Sequence, residues 1–138
     1  MNAIDTNVWI YSYDTRDPQK QLAAQQLMAS VRPLVLLWQV GCEFIAASSK
    51  LKPIGFTQDQ AWQALANMQT TAAAILVPDA PVWSDARSIQ QRHSLSFWDA
   101  LLVAACIRGG VQTLYTEDMV SPRFIDSLSL VNPFLPGP

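Results

Sequence analysis

Phe97-Trp98-Asp99-Ala100-Leu101-Leu102-Val103-Ala104-Ala105-Cys106-Ile107-Arg108-Gly109-Gly110-Val111-Gln112-Thr113-Leu114-Tyr115-Thr116-Glu117-Asp118 is the stretch on which the reading of this chain turns. Its first part predicts a strongly apolar helix over residues 97–108, closed by Gly109-Gly110 with glycine in the left-handed C-terminal position. Thr113 to Thr116 then reads as a short buried strand, and two acids follow it at once. An apolar helix that delivers the chain to a buried strand is half of a strand-helix-strand unit, and recurrence of that unit defines the α/β class.

The unit recurs upstream. Residues 2–5 read as a first strand, followed by a short helix from Thr6 to Tyr13. Asp17-Pro18 supplies an N-cap and a first-turn proline for a helix over 18–31, with Leu22, Ala23, Leu27 and Val31 on one face. Leu34 to Leu37 is a buried strand, Trp38 to Lys50 returns to helical spacing, and Lys52-Pro53-Ile54-Gly55 breaks it. Thr57 and Gln60 form a capping box for a helix over 58–72 carrying Trp62, Leu65, Ala66 and Met68. Ile75 to Val77 is a third strand. Asp79 is placed as the cap of a helix running to Arg92, with Val82, Trp83, Ala86 and Ile89 inward. Ser129 to Val131 adds a short fifth strand. The expected architecture is a central parallel sheet of four or five strands flanked by helices, one domain over 1–138.

Parallel strands joined by right-handed crossovers point their C-terminal ends to one edge, where such folds bind ligands. Asp5 and Asp118 fall just beyond strands one and four, Glu43 about one turn into the helix after strand two, and Asp99 in the first turn of the apolar helix. Each has an ordinary alternative as a helix cap or a partner of a helix dipole. Together they are harder to explain, because four crowded carboxylates repel and raise one another's pKa. No Lys or Arg lies within three residues of Asp5, Glu43 or Asp99, although Arg123 is close enough in sequence to reach Asp118. If the fold gathers the four, the pocket is a hard-cation site.

The remaining composition bounds the function. With 138 residues and 50% apolar content a real core is available, and the formal charge is −2 from 11 acids and 9 Lys and Arg. Setting the four rim acids aside leaves 7 acids against 9 bases, so phosphate need not be repelled once a cation sits among them. The longest apolar run, Ala100 to Ile107, is too short to cross a bilayer, and the expectation is a cytoplasmic protein. Cys42 and Cys106 lie in apolar helical contexts and are expected to be reduced, buried thiols. His93, the only histidine, ends a helix and is expected to act on its dipole rather than in a Ser-His-Asp arrangement. There is no Gly-rich loop for a nucleotide, and Asn7 stands where an aspartyl phosphatase would need its second acid. Trp62 and Trp83 are expected in the core, and Trp9 and Trp98 beside the acids.

Asp5-Thr6-Asn7, Glu43, Phe97-Trp98-Asp99-Ala100-Leu101, Thr116-Glu117-Asp118-Met119 and Val131-Asn132-Pro133-Phe134, in that order, resemble a PIN domain, and more narrowly the VapC-type ribonuclease toxins of bacterial toxin-antitoxin pairs. The resemblance covers nearly all of residues 1–135. It implies a Mg²⁺- or Mn²⁺-dependent endoribonuclease, usually dimeric and silenced by a cognate antitoxin. Carried over by position, Asp5, Glu43, Asp99 and Asp118 form the acidic quartet, Asn7 and Thr116 orient ligands or water, and Glu117 faces solvent. Some relatives carry another acid one turn after the third, where this chain has Val103. The alternatives are a PIN-like module that binds RNA or a protein without cutting, and a DNA-directed or structure-specific nuclease.

Overall fold

In this computed structural model, residues 1–119 and 123–135 are described. The elements run β1 (Asn2–Ile4), α1 (Thr6–Tyr11), α2 (Pro18–Ser30), β2 (Leu36–Leu37), α3 (Trp38–Ala47), a 3₁₀ segment (Ser48–Ile54), α4 (Gln58–Thr71), β3 (Ile75–Leu76), α5 (Val82–Arg92), α6 (Phe97–Arg108), β4 (Thr113–Tyr115), β5 (Phe124–Ile125) and β6 (Leu128–Val131). One sheet has the order β1-β4-β6-β5. β2 and β3 pair in parallel beside it, joined through the parallel bridge of Asn2 and Leu34.

The sheet is mixed rather than wholly parallel. β1, β4 and β6 are parallel, but β5 runs antiparallel to β6. The turn between them holds Asp126 at φ 51°, a left-handed conformation that Asp tolerates better than most residues. The two-residue turn Asp126-Ser127 between Ile125 and Leu128 carries no glycine, so it gives no strong hairpin signal, and β5, two residues long, has no period to count.

Local chemistry explains the helix ends. Asp17 caps α2 by accepting from the Lys20 N–H at 3.1 Å, and the Thr57–Gln60 capping box is complete in both directions. Pro81, not Asp79, stands at the N-cap of α5 and offers no capping side chain, while the Asp79 carboxylate accepts from Arg108 at 3.3 Å. At the end of α6 Gly110 takes the left-handed conformation (φ 77°) while Gly109 stays right-handed. Gly109 has another use: a Cβ there would stand 2.5 Å from Leu76 Cδ1 and 3.2 Å from the Ala105 carbonyl, so a side chain at this end of α6 would force the Leu76 side chain of β3 to shift.

The core lies between the sheet and the helices, with Trp9, Phe44, Leu37, Leu102, Leu114 and Val103 fully enclosed. Val103 is thus a packed core residue. Its seat in α6, tight against α5, leaves the first turn of that helix at the C-terminal rim of the sheet.

Candidate active site

The register of β1 against β4 builds the centre of the site. Asn2, Ala3 and Ile4 face Thr113, Leu114 and Tyr115, so the next residues, Asp5 and Thr116, emerge side by side at the C-terminal edge. The Asp5 N–H donates to the Tyr115 carbonyl at 2.8 Å, and the Thr116 N–H to Val131 at 2.9 Å. Both side chains are buried. Thr116 Oγ1 donates to Asp5 Oδ2 at 2.8 Å and accepts from the Asp118 N–H at 3.3 Å. Asp5 Oδ1 caps α1 by accepting from the Thr6 N–H at 2.7 Å. Asn7, the second residue of α1, donates through Nδ2 to Asp118 Oδ2. One strand edge and one helix start therefore link Asp5, Asn7, Thr116 and Asp118 without a break.

The other two acids approach from the helices. Glu43 in α3 accepts from Gln39 Nε2 at 2.7 Å, and the same amide donates to the Trp98 carbonyl at 3.1 Å, tying α3 to the start of α6. Ser96 caps α6 by accepting from the Asp99 N–H at 3.2 Å. Burial is the main force that raises the Asp5 carboxyl from 3.8 to about 6; bonds from Thr116 and Thr6 oppose it, and the charges of Glu43 and Asp99 add to it. Asp99 is also raised, first by burial and further by the charge of Asp118. Asp5 thus senses Glu43 and Asp99, and Asp99 senses Asp118, which is what four acids on one rim should do.

Among the described residues no Lys or Arg forms an ion pair with any of the four, Arg123 included. Nor, among those residues, is any group of three or more His, Cys, Asp or Glu spaced to enclose a metal ion directly. The donor set is nonetheless oxygen only, as a hard cation prefers, and Mg²⁺ is commonly held by one or two carboxylates with water completing its shell. Thr6 Oγ1, next to Asp5 in the chain, is buried without a hydrogen-bond partner among the described residues. An orphaned oxygen beside a buried carboxylate suits a polar occupant, so the residues fit a divalent cation.

The PIN domain profile matches residues 3–123. The chain belongs to the PIN domain family. Solved structures agree on the fold: VapC20 of Mycobacterium tuberculosis, a toxin that cleaves the sarcin-ricin loop, is 21% identical with a TM-score of 0.67, covering 86% of this chain and 91% of that one. A toxin-antitoxin complex from Klebsiella pneumoniae gives 16% identity and a TM-score of 0.69 over 96% and 98% of the two chains. VapBC2 from Rickettsia felis, bound to a DNA fragment from its promoter, gives 16% and 0.65 over 94% and 96%. No protein curated for its function matches the sequence.

Several residues of this PIN domain sit elsewhere than expected. Trp9 does not line the rim: it is enclosed and stacks on Phe44 with ring centroids 3.7 Å apart. Trp62 and Trp83 are exposed instead of core, because α4 turns Ala61, Ala64 and Met68 inward, and α5 turns Val82, Ala86 and Ile89 inward. Leu22 is likewise exposed, Ala24 being the buried residue of α2. Cys106 is buried, and burial pushes its thiol far up, but Cys42 is exposed. Glu117 does not simply face solvent. It pairs with Lys20, whose ammonium also lies 4.7 Å from the centre of the Tyr11 ring and 5.4 Å from that of Phe134. This cluster, which a sequence scan could not assemble from residues 11, 20, 117 and 134, anchors the segment carrying Asp118. His93 is the C-cap of α5, outside the acidic rim.

Proposed function

We propose that this PIN domain is a Mg²⁺- or Mn²⁺-dependent endoribonuclease and the cytoplasmic toxin of a type II toxin-antitoxin pair. The observation that carries the reading is the convergence of Asp5, Glu43, Asp99 and Asp118 with no cationic side chain among them in the described residues. A pure binding module has no need of four mutually repelling acids. Asp5 and Asp99 would hold the ion, with Glu43 and Asp118 reaching it through water. What a divalent ion supplies here, when bound, is a more acidic water and neutralised charge at the phosphate. On this reading Glu43 and Asp118 would take up the proton of the attacking water, while Thr116 and Asn7, hydrogen-bonded to Asp5 and Asp118, hold those two carboxylates in orientation.

RNA as substrate and a small antitoxin as partner are suggested by the solved relatives, among them a sarcin-ricin loop cleaving toxin and a toxin-antitoxin complex. The exposed apolar residues Trp62 and Ile75, beside a cavity of about 290 Å³ between α3 and α4, favour a protein partner and a homodimer. The test is cleavage of single-stranded RNA and DNA side by side in Mg²⁺, Mn²⁺ and chelator. RNA cut only with metal supports the reading; cutting that survives chelator, or that is confined to DNA, overturns it. Light scattering at micromolar protein tests the dimer, and inhibition by a co-encoded small protein tests the antitoxin.

A further inference from the structure

A groove of about 530 Å³ runs between α3 and the start of α6, lined by Trp38, Gln39, Cys42, Glu43, Ala46 and Trp98. Trp38 and Trp98 are 54% and 63% exposed, while the inward faces of their helices are already filled by Val40, Gly41 and Phe44 and by Ala100, Leu102 and Val103. Neither indole serves the core. Both line one groove, and they are not stacked on each other among the aromatic pairs of the described residues. Phe97 meets the Trp98 ring at 71° with centroids 5.2 Å apart, which restricts the indole's angle. Gln39 ties the two walls through its Nε2, and its Oε1 has no donor among the described residues.

We propose that this groove holds one unpaired nucleobase of the RNA, stacked on Trp98 and Trp38, beside the phosphodiester to be cut. The inference rests on the ribonuclease reading. The groove shares Glu43 with the acidic rim, and Trp98 adjoins Asp99 in the chain, so a base seated there belongs to a nucleotide next to the reacting phosphate. No Lys or Arg lines it, so the hold is through π-faces, with Gln39 Oε1 free to accept from an amino or imino group of the base. Continuity with the rim favours a base over a second copy or an apolar peptide, neither of which needs to reach the acids.

The test measures binding of a labelled single-stranded RNA by anisotropy, its cleavage in Mg²⁺, and the mass in solution. Trp98→Ala should raise KM and Kd about 5- to 100-fold with kcat little changed, the range expected for loss of one stacked base. Trp98→Tyr should retain most affinity and Trp98→Leu should not, and the loss should persist in high salt. An abasic nucleotide beside the cut should remove the difference between wild type and Trp98→Ala. Trp83→Ala, on the exposed side of α5, is the control without effect. If wild type binds and cuts RNA and Trp98→Ala does so equally, the base site is wrong and the nuclease stands. If Trp98→Ala instead halves the mass and Trp98→Leu restores it, the groove is a contact between copies. If wild type neither binds nor cuts RNA, both readings fall.

Discussion

Two populations of carboxylates occupy this small domain. Five acids outside the rim have a basic partner: Asp14 with Arg16, Glu117 with Lys20, Asp126 with Arg92, and Asp79 and Asp85 with Arg108. Asp17 and Asp59 serve the first turns of α2 and α4. Hydrogen bonds from Arg16 and Arg92 hold Asp14 and Asp126 below the usual carboxylate range, whereas burial pushes Asp5 and Asp99 above it. The same residue type is moved in opposite directions within one fold. The acids outside the rim are answered by a basic partner or sit at a helix start, whereas none of the four rim acids has a basic partner among the described residues, although Asp5 also caps α1.

The largest test of this contrast is exchange of an acid from each population. Asp5→Asn and Asp99→Asn should each lower RNA cleavage by two orders of magnitude or more with native circular dichroism, while Asp126→Asn should leave it within a few-fold. Equal activity in all three would remove the distinction.

The next effect is on stability against pH. An acid whose folded pKa is raised binds its proton more tightly in the native state, so it weakens the fold once pH passes the unfolded value. For Asp5, moved from 3.8 to about 6, the loss should develop as pH rises from about 4 through about 6 and reach roughly 3 kcal/mol at pH 7 without metal. Urea unfolding in chelator should show it, and Asp5→Asn, which keeps an N-cap oxygen, should flatten the profile. A wild-type curve parallel to that of Asp5→Asn would show that Asp5 is not strained.

A cation should relieve the same repulsion. At a hundred times its dissociation constant, Mg²⁺ adds about 2.7 kcal/mol if it binds only the folded chain. Wild type should gain several degrees in melting temperature, and Asp99→Asn should melt higher than wild type in chelator while gaining much less from Mg²⁺. No shift in wild type and a lower melting point for Asp99→Asn would leave Asp99 as a plain helix-start residue. Least of all, His93→Ala should keep most activity, since a helix C-cap outside the rim has no proton to move in the reaction; a hundredfold loss would refute the carboxylate mechanism.

The features legible in the sequence were those encoded by contiguous residues. Helix starts at Asp17-Pro18 and Thr57-x-x-Gln60, and the strands that run up to Asp5 and Thr116, needed only local chemistry. What escaped depended on rotation or on distant partners. A one-residue phase error in α4 exchanges Trp62 for Ala61, and small Ala faces give the hydrophobic pattern little to mark the inward side. Cys42 was misplaced for the same reason, lying beside buried Gly41 on a helix that is apolar most of the way round. The Lys20–Glu117 pair joins positions 97 apart, a distance no periodicity spans.

That long reach has a consequence in time. The hydroxyl of Thr116 links to a carboxylate 111 residues earlier, and β4, which delivers it, lies between the first strand and β6, which is made after it. Domains emerge from synthesis N-terminus first, and contacts distant in sequence close last. Asp5 is made long before Thr116 and Asp118, and the hydrogen bonds that join the three wait for the later residues. On the ribonuclease reading proposed above, a growing chain would gain its assembled rim only once β4 and the residues just after it have been made, so the order of synthesis would itself delay the activity.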